Sequence, residues 1–326
     1  MTAGAERILV IGEALIDIVD RGGRLARHVG GSPLNVAFGL ARLGLTTTFA
    51  TAFGTDEGGS AIVRHLAEAG VAIVRTADAD RPTSTALARI GADGSASYEF
   101  DLTWAFSTPP ATAGFDVVHV GSIGALRAPG ADGVRELVAG LPEQVLVTFD
   151  PNIRAALMPP REETRTRVEA YAARAAVVKL SDEDAAWLYP DDAQAAPERL
   201  LAAGARLVVM TRGAEGSVLH TGELRVEVPV RPTVAVDTIG AGDAYMSGLI
   251  AAIVRRAGID DARAGRFTRE QLAEIGAVAA ASAALTVGRA GAMPPTAAEL
   301  DRALDRALAG EAPTPAAVQG SVVPLR

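Results

Sequence analysis

The chain has 326 residues, of which 49% are hydrophobic and 21% charged, so it is long enough to bury a large core. Its net charge of −8 argues against nucleic acid as a partner, because binding to a phosphate backbone needs clustered positive charge. No apolar run approaches the roughly 18 residues of a membrane span, and the first residues lack the pattern of a secretory signal. These features predict a cytoplasmic protein, not attached to a membrane, that binds a small molecule.

Two residue types are rare or missing, and each excludes a class of site. The sequence has no cysteine, which excludes disulfides, thiolate catalysis and zinc–thiolate or iron–sulfur centres. Thirty of the 31 basic residues are arginine, and the remaining one is Lys179. No G-x-x-x-x-G-K-[ST] phosphate loop is present, so a protein of this sequence that binds ATP is not a Walker-type enzyme.

The N-terminal third predicts part of an α/β core together with a smaller β structure. The core elements are a strand, a helix and a strand over residues 8–11, 32–43 and 46–53. Segments 16–29 and 85–100 have the pattern of β-hairpins, with turns at Gly22-Gly23 and Asp93-Gly94. We expect the two hairpins to form a small β-sheet lid that projects from the core.

The middle of the chain contains four short apolar runs, which begin near Val117, Val145, Val177 and Leu207. The steps between them are 28, 32 and 30 residues, the size of a strand–helix–strand unit. This spacing predicts an α/β fold, a doubly wound and mostly parallel sheet flanked by helices. Ligands of such sheets bind beyond the carboxyl ends of the strands. The polar residues that follow the runs are therefore site candidates: Ser122, Asp150, Ser181 and Thr211.

Three alanine-rich amphipathic helices are predicted in the C-terminal third, over residues 243–256, 269–287 and 296–308. After Gly310 the chain is rich in proline and alanine. The domain boundaries that follow are an α/β core over 1–12, 30–83 and 109–310, a lid over 13–29 and 84–108, and a loosely attached tail over 311–326.

The stretch from Asp237 to Asp243, D-T-I-G-A-G-D, lies directly before the first of these helices. Its two glycines let the backbone turn so that successive N–H groups point at one spot, where the helix dipole also favours an anion. An aspartate at the same helix start can reach a hydroxyl beside that anion, as phosphoryl transfer requires. The alternative interpretation makes Asp243 only a first-turn acid that stabilises the helix by about 0.5–2 kcal/mol.

A second glycine-rich stretch, G-G-S-P-L-N-V-A from Gly30 to Ala37, begins the first predicted helix. The paired glycines Gly30 and Gly31 permit close backbone approach to a ligand, and the Asn35 amide can both donate to and accept from a sugar hydroxyl. Taken alone, the stretch is also consistent with an ordinary helix entry that has proline near its first position.

Both stretches resemble the signatures of the ribokinase-like (PfkB) family of sugar kinases, and the resemblance extends from Ile8 to about Pro295. It implies that Asp243 is the catalytic base and that the amides of Gly240, Ala241 and Gly242 form an anion hole. It also implies that Asp17, in the segment G-E-A-L-I-D, binds the substrate together with Gly30, Gly31 and Asn35. The segment D-P-N-I-R, Asp150 to Arg154, is similar to the fructokinase branch and places Arg154 near the reacting phosphoryl or sugar.

The nucleotide side implied by the resemblance consists of Ser181, Thr211, Gly213 and Gly216, with Gly240 and Gly242 shared. Read alone, T-R-G-A-E-G is typical of a turn. The cofactors implied are ATP and Mg²⁺. Where the family has N-x-x-E near the metal, this sequence has Ser181 and Asp184, so Asp184 is expected to act on Mg²⁺ through a water. Asp237 is the candidate for a monovalent-cation site, and potassium activation stays open.

The function expected from the resemblance is transfer of the ATP γ-phosphoryl to an unphosphorylated sugar, with fructose as leading acceptor. The alternatives are 2-keto-3-deoxygluconate or ribose as acceptor, and a non-catalytic sugar sensor of the same fold. Ala280 stands where the family often has an asparagine near adenine, which leaves donor specificity open. A Rossmann dehydrogenase is disfavoured because no G-x-G-x-x-G follows the first strand. Exposed lid strands are also consistent with a homodimer through the lid.

Overall fold

The computed structural model describes residues 6–78, 80–90 and 96–309. The predicted turn at Asp93-Gly94 and the predicted tail 311–326 lie outside the described residues. Across the described ranges, no helix is long and apolar enough to cross a membrane.

A nine-stranded sheet runs through the centre of the molecule, in the order β13-β12-β11-β10-β9-β8-β1-β4-β5. All neighbouring pairs are parallel except β11–β12 and β12–β13. Its strands are β1 (Arg7–Ile11), β4 (Thr46–Thr51), β5 (Ala72–Arg75), β8 (Val117–Gly121), β9 (Leu146–Asp150), β10 (Val177–Ser181), β11 (Leu207–Thr211), β12 (Ser217–His220) and β13 (Arg225–Val228).

A separate four-stranded sheet has the order β3-β2-β6-β7, with a parallel β2–β6 pair between two antiparallel pairs. Its strands are β2 (Leu15–Arg21), β3 (Arg24–Gly30), β6 (Thr85–Ile90) and β7 (Ala96–Asp101). The chain then returns to the core, because Trp104 is buried there and its indole N–H donates to the Gly124 carbonyl at 3.1 Å. The predicted lid boundary at residue 108 is therefore too late, and the small sheet ends at Asp101.

Helices cover both faces of the central sheet, whose strands are apolar on both sides as buried parallel strands require. One face packs against α1, α8 and α10, and the other against the helices between β8 and β11. The helices are α1 (Ser32–Arg42), α2 (Glu57–Glu68), α3 (Ser122–Leu126), α4 (Gly130–Ala139), α5 (Arg161–Ala172), α6 (Asp182–Leu188), α7 (Ala196–Ala203), α8 (Ala241–Ala252), α9 (Ile259–Ala264), α10 (Arg269–Val287) and α11 (Ala297–Leu308).

The predicted fold class is confirmed: the molecule is an α/β structure with a mostly parallel sheet and a smaller separate sheet. Most predicted boundaries differ from the observed ones by only one or two residues. Helix α8 begins at Ala241 rather than Asp243, because Gly240 takes a left-handed conformation and lets the helix start at once. At its other end α8 continues into a π-helical turn, Ile253–Ala257, where an ordinary helix was expected.

Candidate active site

The N-termini of α1 and α8 meet beside the carboxyl ends of the central strands, and Asp243 lies where they meet. Its Oδ1 accepts a hydrogen bond from the Ser32 hydroxyl at 2.6 Å, and its Oδ2 accepts one from the Asn35 amide at 2.8 Å. Both donors are in the first turns of α1. The carboxylate is half-buried and held at two points, which is the arrangement that a preorganised proton acceptor needs. Asn35 was predicted to bind the sugar, and in the structure its amide also donates a hydrogen bond to Asp243.

The glycines at this junction differ in the constraint that requires glycine, which is either a positive φ with no room for a Cβ or only a close neighbour. Gly240 has φ +76°, and a Cβ there would lie 2.5 Å from the Ala292 Cβ. Gly31 has φ +112°, and its Cβ would lie 2.6 Å from the Glu13 carbonyl. Gly242 is part of the first turn of α8 and does not have positive φ. The expectation that both glycines of the G-A-G segment make the turn is therefore wrong for Gly242, whose close neighbour is instead Lys179.

Asp17 approaches the same cleft from strand β2 of the small sheet. Gly30 lies beside it on β3, where a Cβ would collide with the Asp17 carboxylate, so glycine leaves the carboxylate its space. Burial raises the pKa of Asp17 to about 6, the positive charges of His28 and Arg154 oppose this, and the negative charge of Asp243 adds to it. Arg154 and Asp243 therefore lie close enough to Asp17 for their charges to influence its pKa.

Arg154 is exposed, and its Nη1 donates to the Asn152 Oδ1 at 2.8 Å. An arginine at this position could also form a surface ion pair with Glu162 or Glu163, but those carboxylates pair with Arg165 and Arg167 instead. Asn152 has φ +38°, an uncommon value outside glycine that asparagine tolerates better than most residues. Arg154 follows this turn, and its charge acts on Asp17 across the cleft by lowering the pKa of that carboxyl group.

The face of the sheet below α8 becomes polar at its carboxyl end. Lys179 on β10 donates to the Asp150 Oδ2 on β9 at 2.9 Å, and both side chains are almost fully buried. Next to them, His119 Nδ1 and Thr148 Oγ1 share a hydrogen bond of 3.0 Å between β8 and β9. Burial and the nearby charge of Lys179 lower the pKa of His119 to about 3, so this imidazole is neutral. Neither Lys179 nor His119 was among the residues predicted to belong to the site.

Glu13 is a further buried carboxyl group that sequence analysis did not assign. It follows β1, and its Oε2 accepts a hydrogen bond from the Gly124 amide at 2.7 Å, which ties β1 to the start of α3. Burial raises the pKa of Glu13 to about 7, although the hydrogen bonds it accepts oppose the shift. A polar residue directly after a buried strand was the available signal, but it is shared with many structural carboxylates.

The carboxylate of Asp184 accepts hydrogen bonds from backbone amides. Its Oδ1 accepts from the Ile153 amide at 2.7 Å and its Oδ2 from the Ser181 amide at 2.9 Å, and Ser181 completes a capping box at the start of α6. Asp184 therefore connects the D-P-N-I-R segment to β10. Each carboxylate oxygen keeps a free lone pair, so a role toward Mg²⁺ through water remains compatible with this geometry and stays a prediction.

The predicted nucleotide loop is a tight turn between β11 and β12. Gly213 has φ +50° with open space around it, whereas a Cβ on Gly216 would collide with the Val228 carbonyl. Thr211 ends β11 beside Ser181 in the sheet register. The loop is tied to α8 because Ser217 Oγ and Tyr245 Oη share a hydrogen bond of 2.8 Å. These residues thus lie on the α8 side of the cleft, and their contact with nucleotide stays a prediction.

Asp237 connects the loop before α8 to the loop after α10. Its Oδ1 accepts from the Ile239 amide and its Oδ2 from the Gly291 amide, each at 3.0 Å. Both oxygens thus hold these two loops together, and a role of Asp237 in a monovalent-cation site stays a prediction. Among the residues that the structure describes, no group of three or more histidine, aspartate or glutamate side chains is arranged to hold a metal ion.

The family model of pfkB carbohydrate kinases matches residues 5–299, nearly the whole chain. The chain belongs to the pfkB family of carbohydrate kinases. A fructokinase from Rhizobium leguminosarum bv. trifolii is 31% identical over 259 residues, which cover 76% of this chain and 79% of that protein. The predicted family membership is confirmed, and the dehydrogenase alternative is excluded.

Two solved structures of pfkB-like kinases extend the comparison. A fructokinase from Xylella fastidiosa with bound ATP is 29% identical, with a TM-score of 0.79 over 93% of this chain and 99% of that chain. A fructokinase variant from Vibrio cholerae O395, bound to fructose, ADP and a potassium ion, is 25% identical, with a TM-score of 0.77 over 93% of this chain and 100% of that chain.

Proposed function

We propose that this pfkB enzyme transfers the γ-phosphoryl of ATP to a hydroxyl of an unphosphorylated sugar, with fructose as the first candidate. The observation that carries this is the junction of α1 and α8, where Ser32 and Asn35 hold the carboxylate of Asp243 directly after the Gly-Ala-Gly turn. A base and an anion hole on adjacent residues suit attack by a hydroxyl on a phosphoryl group.

In this mechanism Asp243 accepts the proton of the attacking sugar hydroxyl. The amides of Gly240 and Gly242 donate to the phosphoryl oxygens as their charge develops, and the dipole of α8 adds to the attraction. The third predicted donor, the Ala241 amide, is bonded to the Thr238 carbonyl at 3.2 Å and would have to exchange that bond to join them. Asp17 accepts hydrogen bonds from other sugar hydroxyls and so holds the reacting hydroxyl in line. Arg154 contributes positive charge at the open side of the cleft.

The register of the small sheet supports an acceptor without a phosphate group. Asp17 pairs with His28 and Ala86, so these side chains share the face that borders the cleft. Arg27 pairs with Ile18, and Arg89 pairs with Asp20, which places both arginines on the opposite face.

The arginines of that opposite face have acidic neighbours there. Arg27 lies 3.8 Å from Glu57 and Arg89 binds Glu99 at 3.2 Å. Arg24 does share the face of Asp17, but it is paired with Arg21 at the hairpin tip, about 13 Å along the strand from Asp17. Of the arginines considered, only Arg154 lies at the cleft, so a phosphosugar would find no arginine of the small sheet to complete a clamp on its phosphate.

Fructose is the first candidate because the Rhizobium relative and both solved structures are fructokinases. Ribose and 2-keto-3-deoxygluconate remain the alternatives within the same chemistry. Mg²⁺ is proposed to enter on the ATP phosphates, where it would neutralise their charge, with Asp184 acting through water. The potassium ion in the Vibrio structure supports a monovalent cation between the loops that Asp237 connects. The proposed location is the cytoplasm, where ATP is available.

The test is an assay of ADP release at fixed ATP and Mg²⁺ with fructose, ribose, adenosine, 2-keto-3-deoxygluconate and fructose 6-phosphate. We expect the highest kcat/KM for fructose. A preference for fructose 6-phosphate would contradict the acceptor assignment, and no turnover with any sugar would contradict the kinase proposal itself. Repeating the assay with potassium replaced by sodium separates monovalent-cation activation from sugar choice.

A homodimer through the small sheet is also proposed, with a second copy of this chain as the partner. Strands β3 and β7 are the edges of that sheet, and large apolar side chains on it are exposed, including Tyr98 at 63% and Leu25 at 57%. Exposed edges and apolar side chains favour pairing between copies. Analytical ultracentrifugation of the wild type and of Tyr98→Ser tests this: we expect a dimer that weakens in the variant, and a monomeric wild type would contradict the proposal.

A further inference from the structure

Lys179 is the single lysine of a chain that otherwise uses arginine for its positive charges. Its side chain extends from β10 on the face of the sheet below α8, and only 3% of the residue is exposed. A Cβ placed on Gly242 would lie 3.2 Å from its Nζ. Gly242 itself is exposed, so the ammonium lies directly beneath an exposed part of the proposed anion hole.

The ammonium group has more donors than the described protein uses. Nζ donates to the Asp150 Oδ2 at 2.9 Å, and no second acceptor for it is found within the described residues. A lysine has three N–H donors, and leaving donors of a buried charged group without partners is costly. Burial alone would lower the pKa of Lys179, but the carboxylates of Asp150, Asp184 and Asp243 together raise it, so the group is charged.

We propose that the ammonium of Lys179 binds an oxygen of the transferred phosphoryl group beside Gly242, which makes Lys179 a catalytic residue of the phosphoryl transfer. The inference rests on the proposed function, and it adds a fixed charge to an anion hole otherwise made of backbone amides. During the transfer the bond from phosphorus to the ADP oxygen breaks and a bond from phosphorus to the sugar oxygen forms. Asp243 takes the hydroxyl proton, and Lys179 keeps its own protons throughout.

The residue types at both positions suit this arrangement. An ammonium is a compact charge that fits under a helix turn, whereas a guanidinium is wider and planar. At position 242 a methyl group would stand between Nζ and the cleft, and glycine leaves that path open. Gly242 lacks positive φ, so turn geometry does not account for it.

The competing explanation is that Lys179 serves only as the counter-ion of Asp150. The two explanations are separated by a double-mutant cycle with Lys179→Met, Asp150→Asn and the double variant. Lys179→Met alone leaves a buried carboxylate unpaired and can unfold the protein, whereas the double variant removes both charges. The informative comparison is therefore the double variant against Asp150→Asn, with folding checked by thermal denaturation.

If Lys179 binds the phosphoryl group, the double variant should have a kcat about 10²–10³-fold below that of Asp150→Asn, the usual loss for one anion-hole donor. The KM for sugar should change little. Equal kcat values for the two variants would show that Lys179 acts only through Asp150 and would overturn the inference. The wild-type rate is measured first, because a wild type that phosphorylates no sugar overturns the proposed function. If the wild type is active but the double variant and Asp150→Asn have the same kcat, only the role of Lys179 is overturned.

A structural readout does not depend on how the variants fold or turn over. Wild-type protein crystallised with ADP, aluminium fluoride, Mg²⁺ and the sugar should place Nζ within about 3.2 Å of a fluoride of the phosphoryl mimic. A complex in which Nζ contacts Asp150 and no atom of the mimic would overturn the inference.

Discussion

At the start of α8, the Asp243 carboxylate is held by two hydrogen bonds from α1, and a buried ion pair lies directly below it. The small sheet meets the core differently. Ile18 and Val29 pack against the core, and Arg27 lies 3.8 Å from Glu57, with these two side chains 55% and 87% exposed. An exposed pair of this kind contributes little to stability. The reaction centre is thus fixed by packing and internal hydrogen bonds, while the small sheet is buried only at its base, at Leu15 and Ile16, and is less firmly held farther along its strands.

This difference suits a kinase that must both preorganise charge and exclude water. Preorganised donors are effective because they do not reorient during the reaction. A sheet whose outer part makes few buried contacts needs little free energy to open locally, and we expect it to admit the sugar and then close. We therefore expect substitutions in the centre to change kcat and substitutions on the sheet to change kcat/KM for the sugar.

The largest effect is expected for Asp243→Ala. Loss of the proton acceptor should lower kcat by about 10²–10⁴-fold, while ATP affinity persists because the amides of the turn remain. Ser32→Ala, which removes one of the two hydrogen bonds to the carboxylate, is the graded control and should cost less. Steady-state kinetics and ATP titration by calorimetry provide the measurements, and turnover of Asp243→Ala within about threefold of wild type would contradict the assignment.

Gly240→Ala should produce the next largest loss. The change strains a positive φ and also presses a Cβ against Ala292, which displaces the turn, and misplaced groups at a reaction centre cost up to about 10²-fold in rate. Gly70→Ala is the matched control, because Gly70 has φ +73°, open space and a place at the opposite end of the sheet. Gly70→Ala should lose about 1–2 kcal/mol of stability from the strained φ alone, and Gly240→Ala should lose more because of the added clash, but only Gly240→Ala should lose turnover. If Gly240→Ala and Gly70→Ala had the same kcat, the position of the turn would not matter for catalysis.

Asp17 tests the contribution of the small sheet. Its carboxylate, with a pKa of about 6, gains a proton below that pH and loses its capacity as a charged acceptor. We expect kcat/KM for the sugar to fall below about pH 6 in the wild type. In Asp17→Asn the value should be roughly 10–100-fold lower and should not vary with pH across this window. The same pH profile in both proteins would assign the titration to another group.

The smallest effect concerns stability and the buried Glu13. Because its pKa is about 7 in the folded protein, against 4.5 when exposed, the folded state retains a proton between these values that the unfolded state has lost. Its contribution to stability is therefore complete below about pH 4.5 and decreases as the pH rises to 7. Glu13→Gln should flatten this dependence by about 1–3 kcal/mol, measured by urea unfolding at pH 5 and pH 7. The exposed Glu223→Gln should leave it unchanged.

Much of the site was predictable because its signals are local. The G-A-G-D segment specifies a left-handed glycine, a helix start and an acid in the first turn within a few residues. The tasks of Asn35 and Asp184 were not predictable, since the sequence cannot show that their polar atoms are already used by Asp243 and by two backbone amides. The faces of Arg27 and Arg89 also needed the structure, because a one-residue change of register reverses every side chain of a strand.

The sequence by itself determined the α/β fold, the order of its main elements and the identity of the helix start that carries Asp243. Those features follow from hydrophobic periodicity and from backbone preferences that act over a few residues. Only the tertiary structure decided which distant groups meet. Ser32 lies 211 residues from Asp243 in the sequence, and Lys179 on strand β10 lies next to Gly242 on helix α8. Such contacts depend on how whole elements pack. The residues around Lys179 in the sequence do not indicate that α8 packs over its side chain.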